Sequence, residues 1–428
     1  MTARDRLEAA LVKAATPRAR HVFTALMETT ARAEADAADI RARAGISLGP
    51  LDGKIVSIKD LFDVAGMETW AGSKIRKGAG AALADAPAIA RLRRAGAVLI
   101  GRTNMSEFAF SGLGLNPHWG TPGNAHDSTR VPGGSTSGGA VSVALGIADL
   151  TLGTDTGGST RVPAAFNGIV GFKPTSHRIP KAGCFPLSQS LDSIGPLGSS
   201  VADCAAMDSI LATSEADRLT PLSLNGVRIG VPRGFLFEEM EAAVGAAFEA
   251  ALRALEKAGA SLCDIDVEDL LAESRAALQR APIVACEAAA IHADYFESRA
   301  ADFDPRVRGR IAGGTGVSAI AYIQTMLARE ALKARFSERF AASATLLALP
   351  TAPIRAAEIA PIMADDALFT KTNLLTLRNT NVFNFFDCPA ISLPLPIDGL
   401  PAGLMLVSPA GQDRRLFAFA ASAEAALR

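Results

Sequence analysis

The chain has 428 residues, of which 49% are hydrophobic and 20% charged, with a formal net charge of −1. This content excludes an intrinsically disordered chain, and balanced charge without long runs of one sign gives no polyanion-binding surface, so no direct nucleic-acid binding is expected. The length suits about two or three domains, or one large α/β unit. The opening "MTARDRLEAALVKAA" lacks a long apolar core and does not read as a signal peptide. Residues 4–45 carry apolar positions at helical spacing, including Val22, Leu26 and Ala31, and predict one or two surface helices. "GISLGPLDG" breaks them, and "KIVSIKDLFDV" alternates as a strand. "DAPAIARLRRAG" predicts a helix capped by Asp85, with Pro87 in its first turn and Gly96 at its end, followed by the short buried strand "AVLIGRTN". Further on, "SGGAVSVALGIA" predicts a buried small-residue helix and "DLTLGTD" a strand. Residues 200–212 and 240–258 read as helices around the strand "VRIGVPR", and residues 270–345 as mostly helix. "TLLALPTAP" and "CPAISLPLP" read as late strands of the same sheet. No run of 18 apolar residues occurs, so no membrane span is expected. The five cysteines (Cys184, Cys204, Cys263, Cys286 and Cys388) are scattered without a C-x-x-C pair. Neither a disulfide framework nor structural zinc is expected, and a cytoplasmic chain is.

Two segments stand out: "PGGSTSGG" at 132–139 and "TDTGGSTR" at 154–161. A flexible linker is the first reading of such composition, but the apolar small-residue segment directly after it must be buried. A phosphate loop is the second, but neither G-x-x-x-x-G-K-[ST] nor G-x-G-x-x-G is present. The hydrolase elbow G-x-S-x-G is also missing. The third reading is chemical. Glycines let successive backbone N–H groups converge on one centre, which makes an oxyanion nest, and a serine inside it can attack a carbonyl if a base is at hand. The five histidines form no pattern. Lys59, in the apolar run "SIKD", is either an outward solvated lysine or an inward one whose pKa burial lowers enough to make it a base.

"VSIKDLFDVAG", "PGGSTSGGA" and "LGTDTGGSTRVPAAFNGIVGFKPT" together resemble the amidase signature family. The likeness is strong over about residues 50–205 and weaker through "ALPTAP" and "NFFDCPAISLPL". Ser135 and Ser159 lie 24 positions apart, as the family pattern places its two serines. The resemblance implies a single α/β/α domain around a large twisted mixed β-sheet. Residues 1–48 would form an N-terminal helical segment packed on an amidase signature domain of residues 49–428. Within it lie the motif core 50–205, a helix-rich cover 270–345 and C-terminal strands at 345–428. The resemblance further implies Lys59 as base, Ser135 as the bridging serine beside a cis peptide bond, and Ser159 as nucleophile. Thr156, Gly157, Gly158 and Ser159 would supply the N–H groups of the oxyanion hole. Thr136 departs from the second serine that many members carry there and keeps the hydroxyl. The activity implied is hydrolysis of a small carboxylic amide through an acyl-enzyme, without metal or organic cofactor. Family members are often dimers, so a homodimer is compatible.

Other residues carry readings of lesser weight. Asp155 and Arg161 are expected as a buried structural pair, Asp60 as a structural hydrogen-bonding group, and Glu107 as a core-orienting one. Ala109, Phe110 and Ser111 line an acyl pocket by family analogy, or are ordinary core. Pocket candidates are "AGGTG" at 312–316 and "TKTNLLTLRNTNVFNFFD" at 370–387, with Phe383, Phe385 and Phe386 as wall or core. Arg355 and Arg378 are candidates for an acid group on the substrate, or surface arginines. Cys184 and Cys388 read as inert small apolar residues. Trp70 and Trp119 carry no assigned role. Two alternatives to a free-standing amidase are the glutaminase-type subunit of a tRNA-dependent amidotransferase complex and a non-catalytic binding protein on the same fold.

Overall fold

The computed structural model describes residues 1–213, 219–395, 397 and 399–428. Its strands are β1 (Phe23–Leu26), β2 (Ile55–Lys59), β3 (Val98–Thr103), β4 (Leu150–Asp155), β5 (Val170–Lys173), β6 (Ser193–Gly198), β7 (Arg228–Val231), β8 (Ser261–Asp264), β9 (Leu346–Pro350), β10 (Ala390–Leu395) and β11 (Ala402–Val407). They form one 11-stranded sheet in the order β1-β3-β2-β4-β6-β5-β10-β11-β9-β7-β8. The β2–β3, β2–β4, β7–β8 and β7–β9 pairs are parallel, and the remaining ones antiparallel, so the sheet is mixed. Helices cover it on both faces, the single α/β architecture expected.

Every residue of β2 is buried. Parallel strands inside an α/β sheet are buried on both faces, so their alternation separates two apolar clusters, not core from solvent. Val56 and Ile58 join one cluster with Leu150 and Leu152. Ile55 joins the other with Val98, Ile100 and the helices Ala3–Ala14, Glu28–Arg43 and Ser137–Ala144. On the second face Ser57 Oγ meets Ser142 Oγ at 2.9 Å. Residue 59 has the parity of 55 and 57, so its side chain rises toward the segment that opens the helix Ser137–Ala144. That helix lies close enough to its neighbours that a Cβ on Gly138 would sit 2.2 Å from the carbonyl oxygen of Val22.

Three expectations are corrected here. The N-terminal segment is not wholly helical: between its helices Ala3–Ala14 and Glu28–Arg43 runs β1, which adds an edge to the common sheet beside β3. Leu26 therefore ends a strand and Val22 directly precedes it, and neither lies on a helix face. Asp85 does not cap the helix Pro87–Arg94, whose N-cap is Ala86 without a side-chain bond. The Asp85 carboxylate instead accepts from Ala65 N (2.8 Å) and Arg93 Nε (2.9 Å), pinning the loop after β2 to that helix. Strands β5, β6 and β8 were not expected from the sequence, and the span 345–428, expected as strands, holds β9, β10 and β11 together with the helices Ile359–Ala364, Asp366–Phe385 and Asp413–Leu427.

Candidate active site

Lys59 ends β2 fully buried, and its Nζ lies 2.8 Å from both Ser135 Oγ and Thr154 Oγ1. Burial pushes its pKa down to about 7, against weaker upward pulls from Cys184, Asp192 and Asp155. No carboxylate forms an ion pair with it among the described residues, so desolvation wins. Thr154 comes from β4, the parallel neighbour of β2. Ser135 comes from the first Gly-Gly-Ser segment and follows a cis peptide bond from Gly134. The sequence reading missed Thr154, although its place in "GTDTGGS" one residue before Asp155 puts it at the strand end nearest Lys59.

The second Gly-Gly-Ser segment turns from β4 into the helix Arg161–Asn167. Asp155 organises that turn. Its Oδ1 accepts from Gly158 N (2.8 Å), Arg161 Nη2 (2.9 Å) and Asn384 Nδ2 (2.9 Å). Its Oδ2 accepts from Thr160 N (3.1 Å), Thr160 Oγ1 (2.9 Å) and Arg161 Nε (3.1 Å). Burial alone would raise the Asp155 carboxyl; the charge of Arg161 and these bonds overcome it and hold the group well below the usual carboxylate range. Both members of the pair are fully buried, and neither lines the cavity described below. Asp155→Asn keeps the shape but leaves the Arg161 guanidinium buried without its counter-charge. The expected loss of stability is about 3–5 kcal/mol, read by denaturant unfolding; an unchanged midpoint would deny the pair a structural role.

The network also corrects the oxyanion-hole expectation. Gly158 spends its N–H on Asp155 and faces away from the cavity. Its φ of +138° suits glycine, and a Cβ there would stand 2.2 Å from Thr380 Oγ1. Thr156, Gly157 and Ser159 do line the cavity, and their N–H groups make no hydrogen bond within the described chain. Three donors, not four, are therefore free for an oxyanion. Ser159 is nearly buried, and its hydroxyl opens on the cavity without a partner among the described residues. Its carbonyl accepts from Thr136 N (3.4 Å), which joins the two Gly-Gly-Ser segments through the backbone. The structure thus brings Lys59 and Ser135 into contact and sets Ser159 beside them, with no Ser135–Ser159 hydroxyl bond closed.

The cavity has a volume of about 450 Å³ and is mostly apolar. Ala109, Phe110 and Ser111 form one wall, with Phe108 and Ala109 at φ of 49° and 60°, left-handed values that non-glycine residues rarely adopt. Of the two nominated segments, Gly313 represents the first and Leu374, Leu377, Arg378, Asn381 and Phe385 the second. Phe383 and Phe386 belong to the core around Phe336 instead. Arg355 pairs with Glu241 at 2.8 Å and stays outside the cavity lining, so it is no candidate for a substrate acid group. Arg310 lines the cavity and was missed, lying within the stretch 270–345 that the sequence marks only as mostly helix.

The remaining residues lie outside the cavity lining. Asp60, which burial pushes up to about 6, pairs with Arg102 and accepts from Thr24 Oγ1 (2.7 Å), tying β1 to β2. Glu107 accepts from Ser73 Oγ and Asp304 N (2.6 Å each) and contacts His118 Nε2 at 2.8 Å. Trp70 and Trp119 stack at 4.6 Å under Lys77. Burial raises the thiol pKa of Cys184 and pushes that of Cys388 up to about 12, which keeps both protonated.

Comparison with known proteins gives one answer. The Amidase family model matches residues 5–417. The chain is 36% identical to a 2-amino-5-chloromuconic acid deaminase of Comamonas testosteroni, over 92% of this chain and 86% of the relative. It is 35% identical to the A subunit of the glutamyl-tRNA(Gln) amidotransferase of Symbiobacterium thermophilum, over 89% of this chain and 84% of the relative. A solved amidase crystal structure superposes with a TM-score of 0.88 at 35% identity, covering all of this chain and 97% of its own. The chain belongs to the amidase signature family and is a hydrolase acting on carbon–nitrogen bonds.

Proposed function

We propose that the chain hydrolyses a small carboxylic amide to acid and ammonia or amine through an acyl-enzyme on Ser159. One observation carries this reading: a buried lysine with no carboxylate partner among the described residues contacts Ser135 at 2.8 Å beside a serine whose hydroxyl opens on a cavity. Neutral Lys59 donates an N–H to Thr154 Oγ1, which leaves its lone pair for the Ser135 hydroxyl proton. Ser135 in turn takes the Ser159 proton as Ser159 Oγ attacks the amide carbonyl. The relay bond between the two hydroxyls forms as substrate enters, since catalytic hydrogen bonds often tighten only in the complex. The oxyanion is received by the N–H groups of Thr156, Gly157 and Ser159, each essential donor contributing about 3–4 kcal/mol in other hydrolases. The proton on Lys59 then returns through Ser135 to the leaving nitrogen. Water repeats the sequence on the ester carbonyl and frees the acid.

The similarity to a component of a glutamyl-tRNA(Gln) amidotransferase supports a second reading, a protein that works on glutamine within a complex. Labelling with a fluorophosphonate followed by peptide mass mapping tests the first reading on the isolated chain. The expected adduct sits on Ser159. An unlabelled chain that becomes reactive only with co-purified partners would favour the second.

A further inference from the structure

The charged side chains that line the cavity are all cationic. Arg310, on the helix Pro305–Ala312, lines it with Ser159. Its guanidinium lies 4.4 Å over the Phe110 ring, and Nη1 donates to the Phe110 carbonyl at 2.6 Å. It forms no ion pair among the described residues, so its other N–H groups have no anion to meet. Burial pushes its pKa down to about 10, and it stays cationic at neutral pH. Arg378, the other cation of the lining, donates to Leu236 O (2.9 Å) and Asn379 Oδ1 (3.1 Å) at the boundary with a neighbouring groove. Among the described residues no aspartate or glutamate lines the cavity. The nearest acids in the lining of that outer groove are Glu238 and Glu239, and Glu239 is paired with Lys371 at 3.2 Å. The other polar residues of the lining, Ser111, Thr156, Ser159 and Asn381, are neutral, and the carboxylate behind them, Asp192, is outside the lining and already accepts from Thr156 Oγ1 (2.5 Å), Leu187 N (2.9 Å) and Ser188 N (3.0 Å).

A guanidinium held in place by a carbonyl and a ring, without a counter-charge, receives a carboxylate in bidentate fashion. An ammonium in the same space finds apolar walls and a like charge in the lining, and it would be buried there unpaired. We infer that the cavity selects amides that carry a carboxylate and no ammonium, that is, half-amides of dicarboxylic acids with an apolar spacer, and rejects amino-acid amides such as glutamine and asparagine. This rests on the reading of Ser159 as the nucleophile.

Three probes of similar shape separate the charges: glutaramate (an anion), pentanamide (neutral) and glutamine (a zwitterion). The readouts are ammonia release and the slowing of fluorophosphonate labelling of Ser159, the second of which needs no turnover. Glutaramate is expected to exceed pentanamide by about tenfold or more in either readout, with glutamine weakest of the three. In Arg310→Leu the glutaramate-to-pentanamide ratio falls toward one, and Arg310→Lys restores part of it. Glutamine that matches glutaramate, or a ratio that Arg310→Leu does not move, overturns the selectivity while leaving the nucleophile in place. A wild-type chain that neither labels at Ser159 nor releases ammonia from any probe overturns the catalytic reading and this one with it.

Discussion

Ser159→Ala is expected to abolish acylation and to lower ammonia release by about 10⁶-fold, the loss found when a serine hydrolase loses its nucleophile. The change should be silent in stability. Ser159 Oγ has no hydrogen-bond partner to lose among the described residues, and the backbone contact from Thr136 N to Ser159 O survives the substitution. The turn that holds the residue is built by Asp155, Thr160, Arg161 and Asn384, none of which touches the hydroxyl. Initial rates, adduct mass and a melting curve on the same preparation make the test. A variant that melts with the wild type, is catalytically dead and takes up no fluorophosphonate supports the assignment. One that still forms an adduct at wild-type rate moves the nucleophile elsewhere, with Ser135 as the next candidate.

The motifs of the site are legible because they occupy short stretches: Lys59, Ser135 and Ser159 each sit in a segment whose residues match one family pattern. Their surroundings are less so, for identifiable physical reasons. Lys59 lies in a strand buried on both faces, where alternation says nothing about which way a side chain points. β6 holds Gly195, Pro196 and Gly198, residue types that strands disfavour, yet a Cβ at Gly195 would sit 2.1 Å from Phe172 O, so close strand packing requires that glycine. β1 is four residues long between two helices, and its pairing with β3 is a long-range contact with no local signature. Asp85 stands where a cap is expected, but tertiary partners claim its carboxylate. The family pattern offers Gly158 as an oxyanion donor with its neighbours; only the direction of Asp155 shows that its N–H is spent. Arg355, nominated from the sequence, lies outside the cavity lining, and Arg310, not nominated, lies in it, for a similar reason. An arginine's function here depends on whether an acid stands next to it, and Glu241 is 114 positions away from Arg355 in sequence.

Lys59→Met is expected to lower kcat/KM by about 10³-fold or more while raising stability, because the amine that makes the base is also a cost to the fold. Its pKa lies at about 7 in the folded chain against an ordinary value of 10.5. The sign follows from proton binding. Between these two values the unfolded lysine binds more protons than the folded one, so the wild-type stability rises with pH across that window. Below about pH 7 both states are protonated and the folded chain carries the full penalty, of order a few kcal/mol. Methionine fills similar space without a charge, so Lys59→Met should gain most at or below pH 7 and least near pH 10, despite the lost contacts to Ser135 and Thr154. The same titration sets the activity of the wild type: the relay needs the neutral amine, so kcat/KM should fall about tenfold per unit below an apparent pKa near 7. A denaturant midpoint measured at pH 6 and pH 9.5 for both proteins, beside the wild-type pH–rate profile, reads the two consequences together. Parallel pH dependence of stability in wild type and variant, with an acid limb far below 7, would mean that Lys59 keeps an ordinary pKa and that another group serves as the base.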